Sequence, residues 1–181
     1  MTVCIAAILE GPALAFVMDR LVSNEFMATE GFRKHYVLDS EGCWLAMCEA
    51  RDARRVPALM EAIQGNLGSG PKSKQEVSDA CISAYRSERE KLHDAKLSRR
   101  GFTLRSFIEQ GHDKLGDGLF ETILEEVNQT DLGIRLLIGG FDGLTPSLME
   151  VNDGEVFIPP LDFHAIGEGS WVVEALFNQL P

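Results

Sequence analysis

The sequence predicts an α+β domain, a sandwich of β-sheets covered by helices. Three observations predict it. Short apolar runs separated by turn residues open the chain. The apolar period then becomes helical from about residue 56. Short strand-like runs return near residue 133 and lead into a last apolar helix. A block of strands, a block of helices and a second block of strands suit segregated layers better than alternating βαβ units.

The first two runs are Thr2-Val3-Cys4-Ile5-Ala6-Ala7-Ile8-Leu9 and Ala13-Leu14-Ala15-Phe16-Val17-Met18, with a turn at Glu10-Gly11-Pro12. They predict a β-hairpin buried on both faces, ending at Asp19. Leu21 to Phe32 is polar and glycine-punctuated, the pattern of a loop. Arg33 to Leu38 and Cys43 to Cys48 predict a second hairpin around the turn residues Asp39-Ser40-Glu41-Gly42.

Val56, Leu59, Met60, Ile63 and Leu67 fall on one helical face, with Pro57 in the first turn and Gly68 as C-cap. Ser73 and Glu76 have capping-box spacing and start a second helix, with Val77, Cys81, Ile82 and Tyr85 on its inner face. From Ser87 to Arg100 both signs of charge are mixed, as on a solvated helix face. Gly101 breaks the helix, and Thr103 and Asp117 are the expected N-caps of two short helices, Leu104 to Gln110 and Leu119 to Asn128. Gly133 to Gly140 predicts a strand, and Asn152-Asp153-Gly154 a hairpin turn between Ser147–Val151 and Glu155–Ile158. Trp171 to Leu180 predicts the closing helix.

A chain of 181 residues suits one domain able to bury roughly 70% of the surface its unfolded form exposes. The net charge of −11 argues against nucleic acid, whose binding rests on Lys and Arg at phosphates, and against an anionic membrane surface. No apolar run has the length of a membrane span. The apolar N-terminus has no basic leader and is interrupted by Glu10 and Pro12, unlike a secretory signal. Cys4, Cys43, Cys48 and Cys81 form no Cys-x-x-Cys pair and have no zinc spacing with the histidines. They are expected to be reduced and mostly buried, in a cytoplasmic protein. No metal and no cofactor is expected.

Thr2 combines two functions if Met1 is removed: its hydroxyl is a nucleophile and its free α-amino group a base. Alone, a threonine at the start of a strand is simply a good strand former. Lys34 alone is a lysine that discourages edge pairing, and Asp19 alone a turn residue. His35 and His164 are read as structural.

Taken in order, Thr2-Val3-Cys4-Ile5-Ala6-Ala7, Met18-Asp19-Arg20, Lys34, Gly139-Gly140-Phe141-Asp142-Gly143 and Ala165-Ile166-Gly167-Glu168-Gly169 resemble the proteasome β-type subunits. These are N-terminal-nucleophile hydrolases, and the match is best to a bacterial proteasome-like branch. The resemblance implies a four-layer αββα sandwich over residues 1–181, with a helical insertion at about 87–128 and a C-terminus shortened relative to the family. It implies a threonine-type endopeptidase with Thr2 as nucleophile and Lys34 and Asp19 beside it. It also implies a homo-oligomeric ring and peptide or unfolded protein substrates. Glu168 stands where the family usually has serine in a Gly-Ser-Gly turn, so it is a possible neighbour of the site. A carboxylate there would stabilise the charged amine and weaken it as a base. The alternatives within the same fold are a non-catalytic or degenerate scaffold subunit and a small-molecule amidase.

Overall fold

A computed structural model describes residues 3–19, 22–23, 28–29, 34–177 and 179. Thr2 and Arg20 lie outside the described residues. The chain divides into two compact units, a sheet unit of residues 1–84 with 133–181 and a helical unit of residues 85–132.

In the sheet unit, β1 (Cys4–Leu9) and β2 (Ala13–Met18) form the opening hairpin, joined on the other side of β1 by β10 (Phe163–Ile166). The second sheet runs β5 (His35–Val37), β6 (Trp44–Ala50), β7 (Ile134–Asp142), β8 (Thr145–Asn152), β9 (Glu155–Phe157), every pair antiparallel. The two sheets pack face to face. Cys4, Ala6 and Ile166 from the first interlock with Met47, Leu137 and Leu148 from the second, and Ile8, Phe16 and Leu45 fill in around them. Side chains alternate faces along a strand, so Cys4, Ala6 and Ile8 share the inner face. The hairpin is therefore buried on one face, not on both: Val17 is 59% exposed.

Close packing explains the Gly139-Gly140 pair, Gly139 between the two sheets and Gly140 against its strand partner Trp44. A Cβ on Gly139 would fall 2.6 Å from the Phe16 ring, and one on Gly140 2.4 Å from Trp44. Asp142, from the same run, accepts the backbone N–H of Lys74 at 3.3 Å, a carboxylate at a helix N-terminus. Asp153 (φ 47°) and Gly154 (φ 83°) supply the positive φ that a tight hairpin needs.

The expected loop from 21 to 32 contains two paired dipeptide strands, β3 (Val22–Ser23) and β4 (Ala28–Thr29). Strand β10 has no counterpart in the sequence reading, which passed directly into the last helix. α1 (Val56–Leu67) has Pro57 in its first turn and Gly68 as C-cap, and Gln64 Nε2 ties it to the Val37 carbonyl of β5 at 2.7 Å. α2 (Lys74–Ser98) starts at the capping box: Ser73 N donates to Glu76 Oε2 at 2.9 Å and Glu76 N to Ser73 Oγ at 3.3 Å. α5 (Ser170–Phe177) docks on β10 through stacked Phe163 and Phe177 rings with centroids 4.6 Å apart.

α2 is unbroken through the charged stretch, whose residues belong to the helical unit. There α3 (Leu104–Leu115) and α4 (Asp117–Asn128) follow, joined by Gly116 alone. Thr103 caps α3 as expected, but Gly116, not Asp117, is the N-cap of α4. This unit has a core of its own, Leu97, Phe102, Phe107, Ile123 and Val127. Among the described residues no helix is long and apolar enough to cross a membrane.

Candidate active site

Three chain segments meet where β1 begins. β2 ends at Met18, so Asp19 leaves the strand opposite the start of β1. The backbone of Asp19 donates to the carbonyl of Val3 at 3.2 Å. In return the Asp19 carboxylate accepts the N–H of Val3 through Oδ2 at 2.8 Å. Its other oxygen, Oδ1, takes the ammonium of Lys34 as an ion pair. One carboxylate thus clamps a buried cation and the backbone amide of the residue that follows Thr2.

Lys34 stands just before β5, and its carbonyl accepts the N–H of Cys48 at 2.9 Å. That bond holds Lys34 against β6, with 5% of the residue exposed. A buried ammonium requires a partner. Asp19, its side chain 33% exposed, provides one and remains open to solvent.

Two cysteines lie under this end of the sandwich. Cys4 Sγ points at the Cys48 carbonyl at 3.9 Å. Burial pushes both thiols up to about 12, and the nearby Lys34 ammonium offsets only part of that. Such thiols stay protonated and serve as small apolar groups, not as nucleophiles.

The third segment is the turn after β10. Cys4 pairs with Ile166, which places Gly167-Glu168-Gly169 next to the start of β1. Gly167 has φ 109°, reachable without strain only by glycine. A Cβ on Gly169 would sit 2.6 Å from Val3 Cγ2, so this turn needs glycine for contact with Val3. Glu168, between them, is exposed. The structure therefore brings Asp19, Lys34 and the Glu168 turn around Val3, while Thr2, the expected nucleophile, is outside the described residues.

Sequence reasoning missed a second polar group between the same sheets. Arg135 of β7 donates to Glu150 Oε1 of β8 through Nε and Nη2 at 3.0 and 2.8 Å. Its Nη1 reaches Glu49 Oε2 of β6 at 3.3 Å. Glu150 Oε2 meets His164 Nε2 of β10 at 2.6 Å. Burial pushes the Glu150 carboxyl up, but the bonds from His164 and Arg135 outweigh burial and hold it below the usual carboxylate range. The signal available in sequence was an acid or a base on the inward face of four separate strands.

No family model matches the sequence, and no curated protein matches it either. Solved structures do. Eukaryotic HslV from Trypanosoma brucei is similar over 99% of this chain and 79% of that one, with a TM-score of 0.58 and 16% identity. The chain has an HslV-like fold. At this identity the likeness concerns fold alone.

Proposed function

We propose that this protein is a threonine-type endopeptidase of the proteasome-like class, with Thr2 as N-terminal nucleophile once Met1 is removed. One observation carries the reading: the Asp19 carboxylate joins the buried Lys34 ammonium to the backbone N–H of Val3, the neighbour of Thr2.

An alcohol is a poor nucleophile at neutral pH and needs a group to take its proton. A free α-amino group, with an unperturbed pKa of about 8, is suited to that role near neutrality. The Lys34 ammonium would favour the uncharged amine and the developing alkoxide. Asp19 would keep Lys34 charged and aimed. The Thr2 oxygen attacks the amide carbonyl, the amine nitrogen takes the hydroxyl proton, and the leaving amine receives it. Water then hydrolyses the ester. The reading includes the four-layer αββα arrangement, with residues 87–128 as an insertion. It also includes a cytoplasmic homo-oligomeric ring acting on peptide or unfolded protein.

The second reading is a degenerate scaffold subunit. It is favoured by Cys48, whose N–H already donates to the Lys34 carbonyl at 2.9 Å and so is not offered to an oxyanion. Glu168 bears on the same choice. A carboxylate beside the N-terminal amine would hold it protonated and slow the enzyme at neutral pH. The test is hydrolysis of a fluorogenic peptide against pH, with Thr2→Ala as blank. We expect Glu168→Ser to move the rising limb to lower pH and to raise the rate near neutrality. Equal rates in wild type, Glu168→Ser and the blank would reject the peptidase in favour of the scaffold.

A further inference from the structure

The Glu49–Arg135–Glu150–His164 group has no part in the chemistry above, yet it is too connected to be incidental. Its members come from β6, β7, β8 and β10, and its last bond crosses from one sheet to the other. Partly buried ion pairs of this kind add little net stability over apolar side chains of the same shape. Unlike apolar contacts, they fix distance and direction.

Both ends of the group run to the candidate site. At one end Glu49 follows Cys48, whose N–H is bonded to the Lys34 carbonyl at 2.9 Å. At the other, His164 pairs with Ala6 in the β1–β10 ladder. Three residues on from His164 begins the glycine turn that abuts Val3. The Glu150–His164 bond therefore holds the β10–β1 side of the site, and the Glu49–Arg135 pair the Lys34 side. Phe157 of β9 lies against the His164 ring at 5.7 Å between centroids, limiting its movement.

We propose that Glu150 and His164 are positioning residues for the candidate site, holding β10 and its glycine turn so that β1 meets the Asp19–Lys34 pair in register. The proposal rests on the peptidase reading for its kinetic consequence but not for its structural one.

The test uses the full chain and three variants. His164→Leu removes the bond. His164→Gln keeps a donor able to reach Glu150, and His164→Asn carries the same amide on a shorter stem. Two quantities are read: amide hydrogen exchange in residues 3–9 and 163–169, and kcat and KM for a fluorogenic peptide. We expect exchange in those two segments to speed up in His164→Leu and His164→Asn, with residues 134–142 unchanged and His164→Gln near wild type. We expect kcat to fall by about tenfold to a hundredfold, the range for small misplacement of reacting groups, with KM within about twofold and His164→Gln restoring most of the rate. Unchanged exchange in His164→Asn would overturn the proposal whatever the activity, even if His164→Leu failed to fold. Altered exchange with unchanged kcat would reduce His164 to a structural residue and overturn it too. No difference between wild type and Thr2→Ala in hydrolysis would reject the peptidase reading instead, while the exchange data would still decide whether the bond holds β10.

Discussion

The sheet unit and the helical unit bury different things. Among the described residues, the buried charged side chains, Lys34, Asp39 and Glu150, all lie in the sheet unit. The helical unit buries Leu97, Phe107, Ile123, Val127 and the hydroxyl residue Thr130, and keeps its charge on the surface. An apolar core of this kind serves stability: any well-filled set of side chains would do. Charge inside a sandwich is costly unless each group has a partner at the right distance. Two such groups between one pair of sheets therefore mark where geometry is being specified: one adjoins the start of β1, and the other reaches β1 through His164, the partner of Ala6.

The largest expected effect breaks the comparison on the sheet side. Replacing Lys34 with Ala should reduce Thr2-dependent hydrolysis by at least about a hundredfold, the lower range for a lost proton-transfer arrangement. Circular dichroism should show the fold kept, because the part-exposed Asp19 carboxylate can turn to water. Lys34→Arg should not rescue, since a planar guanidinium cannot replace a compact ammonium in a buried slot. Retained turnover in Lys34→Ala would make Lys34 a structural lysine.

The next change tests the helical side. Phe107 is fully buried, edge-on to Phe102 and stacked on Phe120 with ring centroids 4.9 Å apart. Phe107→Ala should cost about 3–5 kcal/mol of stability in that unit, read as faster amide exchange over residues 104–128. The rate of labelling at Thr2 should be unaffected. A parallel loss of labelling would show that the two units are not separate in function.

The smallest effect concerns acid. Glu150 is held below the usual carboxylate range, burial being outweighed by its bonds to His164 and Arg135. The folded state therefore binds this proton less readily than the unfolded state does. Its contribution is present above the unfolded carboxyl value of about 4.3 and is lost as pH falls through the lowered folded value. Glu150→Gln should be less stable at neutral pH and should show a flatter acid limb in urea titrations below about pH 4.3. An acid limb as steep as that of wild type would assign acid sensitivity to other carboxylates.

Much of the fold was legible because the signals are local. The Ser73–Glu76 capping box, the Asn152-Asp153-Gly154 hairpin and the Gly68 cap each lie within a few residues. Strand β10 was not legible. It is four residues long, follows Pro159 and Pro160, and has its place set by pairing with β1, distant in sequence. The last turn of α3, which runs to Leu115 and not Gln110, and the first two residues of α4 were likewise hidden, because propensity alone does not say where a solvated helix stops. Asp19 and Lys34 were drawn together by a resemblance, and the structure puts them in contact. No spacing rule could have found Glu49, Arg135, Glu150 and His164. Their partners are separated in sequence by 86, 15 and 14 residues, and strand pairing within one sheet and the packing of His164 from the other are what join them.

The account stands or falls on Thr2. The measurement is intact-mass and peptide mapping of the wild-type protein after exposure to an amine- and hydroxyl-reactive electrophile of the epoxyketone type, in parallel with Lys34→Ala. The account predicts an N-terminus that begins at Thr2 and one adduct, mapped to Thr2, formed much more slowly in Lys34→Ala. An N-terminus still carrying Met1, or an adduct absent from Thr2 or formed equally fast without Lys34, would contradict it.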